Sequence, residues 1–163
     1  MRYLLRPQGR PPEFDQTNNG CYNARRDNLM HFWKKQFGHL HGIVMMSAFY
    51  ENVNRHDFER RPLDAGEKAS NAIIEFTPSD SKTMFVPCLW SYWTGEGDDL
   101  YSFAVITDEP PREVSDAGHD RCVIQIREER IRDWLDCEGK SNDELFAILD
   151  DRPAVKYHGR LER

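Results

Sequence analysis

The sequence predicts a β-rich α+β fold, a single domain over 1–163 in which a strongly curved or barrel-like mixed sheet carries a few peripheral helices. Two observations support this. Runs rich in aromatic and β-branched residues recur at 72–76, 84–93 and 100–107. Helical patterns are fewer, at 27–37, 127–136 and 141–149. With 163 residues, 39% hydrophobic and 12% aromatic, the chain can bury one substantial core.

In order, Tyr3-Leu4-Leu5 predicts a short strand, followed by a Pro-, Gly- and Asn-rich loop over 7–20. Asp27 is placed to cap a helix reaching Phe37, with Met30, Trp33 and Phe37 on one face and Gly38 as its stop. The short, nearly continuous apolar run 41–49 predicts one buried strand, and the charged stretch 52–70 a hairpin plus loop. The three aromatic strands come next. Pro110-Pro111 permits a short helix before His119, and 122–126 is expected to be a strand. The last two helices follow, the second opened by a capping box, Ser141 with Glu144.

Composition excludes several classes. The longest apolar stretch, 43–50, is interrupted by Ser47 and is too short to span a bilayer. No apolar segment follows the N-terminal arginines as a secretory signal would require. A cytosolic protein with no membrane partner is expected. Cys21, Cys88, Cys122 and Cys137 are scattered, so thiols are expected, two or three of them buried. No metal is expected; the nearest ligand set is His31 with His39 and His41. A formal charge of -6 argues against broad, nonspecific coating of nucleic acid but leaves room for a local basic groove. Arg2, Arg6, Arg10, Arg25 and Arg26 cluster early, while acids concentrate after Asp98 and between Glu128 and Asp151. That asymmetry gives either one positive face or ordinary solvated charge.

The familiar catalytic signatures G-x-S-x-G, H-E-x-x-H, the Walker loop and the dinucleotide fingerprint are all missing. Three short clusters remain: Asn23-Ala24-Arg25, Phe49-Tyr50-Glu51 and His119-Asp120-Arg121. A carboxyl at the end of a buried strand is partly desolvated, which suits Glu51 to proton transfer; an ion pair with Arg55 or a neighbouring arginine would equally explain it. Neighbouring strand side chains point to opposite faces, so Asp120 is not expected to orient His119. His119 and Arg121 can share a face, either for an anionic or carbonyl-bearing ligand or as structural groups. Asn23 and Arg25 on extended backbone form either a phosphate clamp or a turn Asn and a surface Arg. Trp33, Trp90, Trp93, Tyr50 and Tyr92 suffice for base stacking, although most are expected in the core.

Taken jointly, these clusters with Ile43-Val44, Val105-Ile106-Thr107, Trp134-Leu135-Asp136 and the aromatic strand 84–93 resemble the SOS-response-associated peptidase (SRAP) family, in its divergent, phage-type members. The resemblance implies a β-rich α+β fold with a positively charged groove for single-stranded DNA, and abasic sites as the partner. It implies no cofactor, and a cytoplasmic protein that is nucleoid-associated when bound to DNA. It also implies covalent capture, in which an N-terminal cysteine closes a thiazolidine on the ring-opened sugar aldehyde. Carried over by position, Asn23 orients the nucleophile or sugar, Glu51 is the general acid/base, and His119 assists ring opening and proton transfer. Arg25 binds phosphate, and Thr107 and Arg121 line the DNA groove.

Two departures bear on this. The family opens Met-Cys-Gly-Arg where this chain has Met1-Arg2-Tyr3, and Asn52 stands where a Trp usually follows the family's Glu. An N-terminally shortened form of a crosslinking protein is therefore expected, or else a member that has lost crosslinking. Cys21, which has no free α-amine, could form only a reversible hemithioacetal. Three readings follow: an abasic-site crosslinking protein, a non-catalytic single-stranded or damaged-DNA binding module of the same fold, and a peptidase. The last is the weakest, since no activated nucleophile is evident.

Overall fold

A computed structural model describes residues 1–17, 19–80, 82–95 and 99–162, with only the backbone described for Asn19 and Gly20. Asn18 of the 7–20 loop and Asp98, where the later acids begin, lie outside the described residues. The strands are β1 (Arg2–Tyr3), β2 (Asn23–Arg25), β3 (His41–Met46), β4 (Phe49–Asn54), β5 (Asn71–Pro78), β6 (Met84–Trp93), β7 (Leu100–Asp108), β8 (Cys122–Val123) and β9 (Tyr157–Leu161). The helices are short: α1 (Phe14–Thr17), α2 (Arg55–Phe58), α3 (Arg112–Ser115), α4 (Ile131–Leu135) and α5 (Asn142–Asp150). This is the β-rich α+β class with a mixed sheet that the sequence predicts. No helix among the described residues is long and apolar enough to cross a membrane.

The chain divides into two compact units. The first comprises Met1–Val44, Phe85–Asp108 and Val123–Pro153, and the second Met45–Met84, Glu109–Cys122 and Ala154–Arg163. The sheet of the first unit runs β1-β7-β6-β3, with β2 and β8 also pairing β7. Both β1 and β2 run parallel to β7, and in succession: Arg2 and Tyr3 oppose Ser102 and Phe103, then Asn23, Ala24 and Arg25 oppose Val105, Ile106 and Thr107. Ser102, Ala104 and Ile106 on one face of β7 are buried, and toward its end Val105 and Thr107 on the other face are buried as well. Behind the first face lies a core of Leu5, Leu29, Leu89, Ile124, Ile126, Trp134, Leu145 and Ile148. Each such side chain removed from water stabilises the fold by roughly 1.5–3 kcal/mol. Trp134 is the largest of these fully buried side chains; its indole donates to the Gly42 carbonyl at 2.9 Å and its ring stacks on His41 at 3.7 Å. The predicted capping box closes α5: Glu144 N–H donates to Ser141 Oγ at 3.3 Å while Ser141 N–H donates to Glu144 Oε2 at 2.8 Å.

The second unit is an antiparallel sheet, β4-β5-β9. Phe49 stacks on Phe76, and Tyr157 meets Phe49 edge-on, so one aromatic cluster joins all three strands. Gly159 packs closely within it: a Cβ there would sit 3.0 Å from the Phe76 ring and 3.2 Å from Ile74, so a side chain would push on both.

Several local expectations are corrected. Residues 27–37 form a 3₁₀ turn (Arg26–Asn28) and a series of turns. Asp27 lies inside that turn, whose N-cap position is Arg25, and its carboxylate accepts from the Arg25 guanidinium; Met30 faces solvent while Trp33 and Phe37 are buried. Gly38, at φ +82, does end the segment. The single strand expected over 41–49 is two, β3 and β4, separated at Ser47 and Ala48. Glu51 consequently lies inside β4 opposite Ile74 and does not end a strand. The stretch 52–70 holds the end of β4, the helix α2 and a loop, with no hairpin. The strand expected over 122–126 shortens to β8, and the helix over 127–136 becomes a 3₁₀ turn leading into α4.

Candidate functional site

In the second unit, β4 alternates so that Phe49 and Val53 are buried and Tyr50 and Asn52 are exposed. Glu51 shares the inward face and is carried to a position where its side chain keeps 18% of its exposure. His119 arrives there from α3 through Gly118, whose φ of +92 makes the turn. A Cβ on Gly118 would lie 2.9 Å from Asp57 Cβ, so the turn fits only glycine. His119 Nε2 then stands 3.1 Å from Glu51 Oε2.

The opposite ring nitrogen is held by the Arg121 backbone: His119 Nδ1 is 2.9 Å from the Arg121 carbonyl oxygen and 3.3 Å from the Arg121 N–H. A ring nitrogen can donate to the first or accept from the second, and either way Nε2 is the nitrogen turned to the carboxyl. Burial pushes the Glu51 carboxyl above its usual range; the facing imidazole opposes that rise and the Asp120 charge adds to it. Glu51 is thus paired with a histidine, and the arginine pairing that its position allowed is not made: Arg55 bonds Glu59 at 2.7 Å instead. The Arg121 guanidinium meets Glu109 at 3.3 Å and the Asp120 carbonyl at 3.0 Å, and its side chain is mostly covered.

In the first unit, the parallel pairing sets Asn23, Arg25 and Thr107 on adjoining strands. The Tyr3 hydroxyl donates to Asn23 Oδ1 at 3.0 Å, so the NH₂ of the carboxamide is the end turned away from Tyr3. Arg25 grips Asp27 at 2.6 and 3.2 Å through two nitrogens and is half exposed. Thr107 is buried, and its Oγ1 has no partner among the described residues. A buried orphan hydroxyl is uncommon. Of the early arginines, read as either one positive face or ordinary solvated charge, three are paired with acids: Arg2 and Arg6 both hold Asp15, and Arg26 holds Asp150.

All four cysteines are buried and none forms a disulfide among the described residues; two or three buried were expected. Burial pushes the Cys21 thiol up, with Asp15 adding to the rise, and pushes Cys88 to about 12. Neither is poised as a nucleophile. No three potential ligands among the described residues gather to hold a metal. His41 spends both ring nitrogens, Nδ1 donating to the Trp134 carbonyl at 2.9 Å and Nε2 accepting from Gly38 N–H at 2.8 Å.

Residue-by-residue reading missed Gly118, Tyr3 and the Arg121 carbonyl. Only Gly118 left a signal, a glycine directly before a candidate histidine. The other two act through contacts distant in sequence or through backbone.

Comparison with known proteins extends this picture. The chain is 30% identical over 134 residues to an abasic site processing protein of Saccharomyces cerevisiae, an alignment covering 78% of this chain and 32% of the yeast protein. It thus spans about a third of the length of that curated relative. A crystal structure of a Bacteroides thetaiotaomicron protein superposes with a TM-score of 0.75 at 17% identity, over 99% of this chain and 67% of that one. A Bordetella bronchiseptica protein gives 0.73 at 20%, over 99% and 75%. A phage-related protein from the same organism gives 0.65 at 18%, over 97% and 68%. These three share the fold. The profile of one family matches residues 1–159, nearly the whole chain, and the chain belongs to that family, the SOS response associated peptidases (SRAP).

Proposed function

We propose that the chain acts in DNA-damage processing by binding single-stranded DNA at abasic sites, with Glu51 and His119 moving protons at the ring-opened sugar. The observation that carries this reading is the 3.1 Å contact between a mostly buried carboxyl and a histidine whose other nitrogen is held by the Arg121 backbone. Attack of an amine on the sugar aldehyde gives a carbinolamine, and loss of water from it to an imine needs a proton delivered to the departing hydroxyl. Glu51, its pKa raised by burial, acts as the acid and then as the base; His119 assists ring opening and holds the exchanged proton. General acid–base catalysis of this kind contributes about 10²–10⁴-fold. Arg25 binds phosphate, Asn23 orients the sugar or nucleophile, Arg121 lines the strand's path, and Thr107, buried opposite Arg25 in the β2–β7 pairing, backs that path without reaching the DNA.

Stable thiazolidine capture requires a cysteine with a free α-amine, and we assign that step to a form carrying an N-terminal cysteine. Cys21, buried and within the chain, does not supply it. The burial of every thiol favours a second reading for the chain as it stands, a damaged-DNA binding module without covalent chemistry.

The test mixes the chain with an abasic single-stranded oligonucleotide, with and without borohydride, and resolves the mixture on a denaturing gel. A borohydride-dependent band that Glu51→Gln slows supports proton transfer by Glu51. Tight binding with no trapped band supports the binding module, and no binding of either kind removes the proposal.

A further inference from the structure

The sheet of the first unit carries an aromatic strip that the proposed chemistry does not use. Pairing across β6 and β7 sets Trp90 opposite Phe103 and Tyr92 opposite Tyr101, and pairing across β1 and β7 sets Tyr3 opposite Phe103. Residues paired in this way share a face. Their rings form two groups joined by the Trp90–Phe103 pairing: Tyr92 stacks on Tyr101 at 4.5 Å with Trp90 6.1 Å from Tyr101, and Tyr3 stacks on Phe103 at 5.2 Å with Tyr22 edge-on at 5.0 Å. Tyr101 is 50% exposed, Tyr3 45% and Tyr22 41%. Two of the rings are held at their polar ends, the Trp90 indole by the His41 carbonyl at 3.1 Å and the Tyr92 hydroxyl by the Asp99 carboxylate. The strip begins beside Asn23, which the Tyr3 hydroxyl touches, and leads away from it along β7.

We infer that this strip is a stacking platform for the bases of single-stranded DNA that flank an abasic site, an inference that rests on the function proposed above. The rings offer π-surface and little charge. The nearby cations Arg2 and Arg6 are turned to Asp15, and Asp99 at the far end repels phosphate. Bases therefore face the sheet and phosphates face solvent, the arrangement by which aromatic surfaces hold single strands without regard to sequence. Same-face residues along β7 step by about 7 Å, so Phe103 and Tyr101 are successive supports leading away from Asn23. Tyrosine and tryptophan rings held in place lose little entropy when a base covers them.

Fluorescence anisotropy of the whole chain with two dye-labelled oligonucleotides tests this. Both carry a central tetrahydrofuran in place of one nucleoside; in one the flanks are pyrimidines, and in the other they too are tetrahydrofurans, with phosphates but no bases. Tyr101→Ala is expected to weaken the base-bearing strand about 5- to 150-fold and leave the baseless strand unchanged. Tyr101→Trp is expected to retain affinity, and Tyr101→Leu, apolar but without a π face, to lose it as Ala does. Thermal melting of each variant shows that it is folded, and Tyr101→Leu stands in should Tyr101→Ala unfold. Unchanged binding of the base-bearing strand by folded Tyr101→Ala and Tyr101→Leu overturns the platform and assigns the strip to another occupant, such as a protein segment. An equal loss on both strands also overturns it, and in either case a loss caused by Arg25→Ala leaves the DNA-binding reading standing. A wild-type chain that binds neither strand overturns both.

Discussion

Glu51 Oε2 and His119 Nε2 lie 3.1 Å apart, with the Arg121 backbone holding the ring through its other nitrogen. The pair has a consequence for stability. Burial raises the Glu51 carboxyl above its ordinary 4.5, so above that pH the folded chain holds more protons than the unfolded one. The group's contribution to stability is therefore fully present below pH 4.5 and is lost as pH rises through the raised value. Glu51→Gln keeps an NH₂ that can donate to Nε2 and removes the buried charge. Urea denaturation is expected to show the variant at least as stable as wild type at pH 8, with the relative advantage gone near pH 4. A variant clearly less stable at pH 8 would show the carboxylate to be a structural anchor.

Gly118→Ala is expected to separate the pair. The φ of +92 disfavours any side chain, and the added methyl meets Asp57 at 2.9 Å. Together these cost about 1–3 kcal/mol, and the shift moves His119 away from Glu51. The expected result is a lower melting temperature together with a greater loss of abasic-site reaction than of DNA affinity.

How much of this could be read from the sequence depended on where each determinant lay. The strand over 84–93 matches β6 to the residue, since a long aromatic and β-branched run bounded by polar residues has one interpretation. The edge strand β9 escaped notice because Tyr-His-Gly-Arg-Leu buries only Tyr157 and shows no apolar alternation. Residues 41–49 read as one strand because the break at Ser47-Ala48 lacks Gly or Pro. At the site, Glu51 and His119 could each be singled out, but their contact could not. It depends on β4 continuing past Glu51 and on the αL turn at Gly118. The pairing of Tyr3 with Asn23 depends likewise on β1 and β2 following one another along β7.

His41 provides a pH prediction in the first unit. Burial lowers its pKa from 6.5 to about 4, its bond to the Trp134 carbonyl opposing that shift in part. The unfolded chain thus takes up the proton first, and the stability contributed by neutral His41 is present above pH 6.5 and lost as pH falls to about 4. The loss is up to about 3 kcal/mol. His41→Gln is expected to be less stable than wild type at pH 7.5 but to lose less stability on acidification, as read from urea midpoints across that range.

Arg25 and Asp27 give opposite predictions for DNA affinity. If Arg25 holds a phosphate as proposed, Arg25→Ala is expected to weaken binding across sequences and flatten the salt dependence by about one counterion. Asp27→Asn releases the guanidinium from its 2.6 Å carboxylate partner and is expected to strengthen binding at low salt. Anisotropy titrations at several salt concentrations report both effects.

The most direct test of the account is the single-turnover rate at which borohydride traps the chain on an abasic single strand, compared between wild type and Glu51→Gln at equal DNA occupancy. Proton transfer by Glu51 predicts a rate about 10²–10⁴-fold lower in the variant with affinity unchanged or higher. Trapping at the wild-type rate by Glu51→Gln would contradict it.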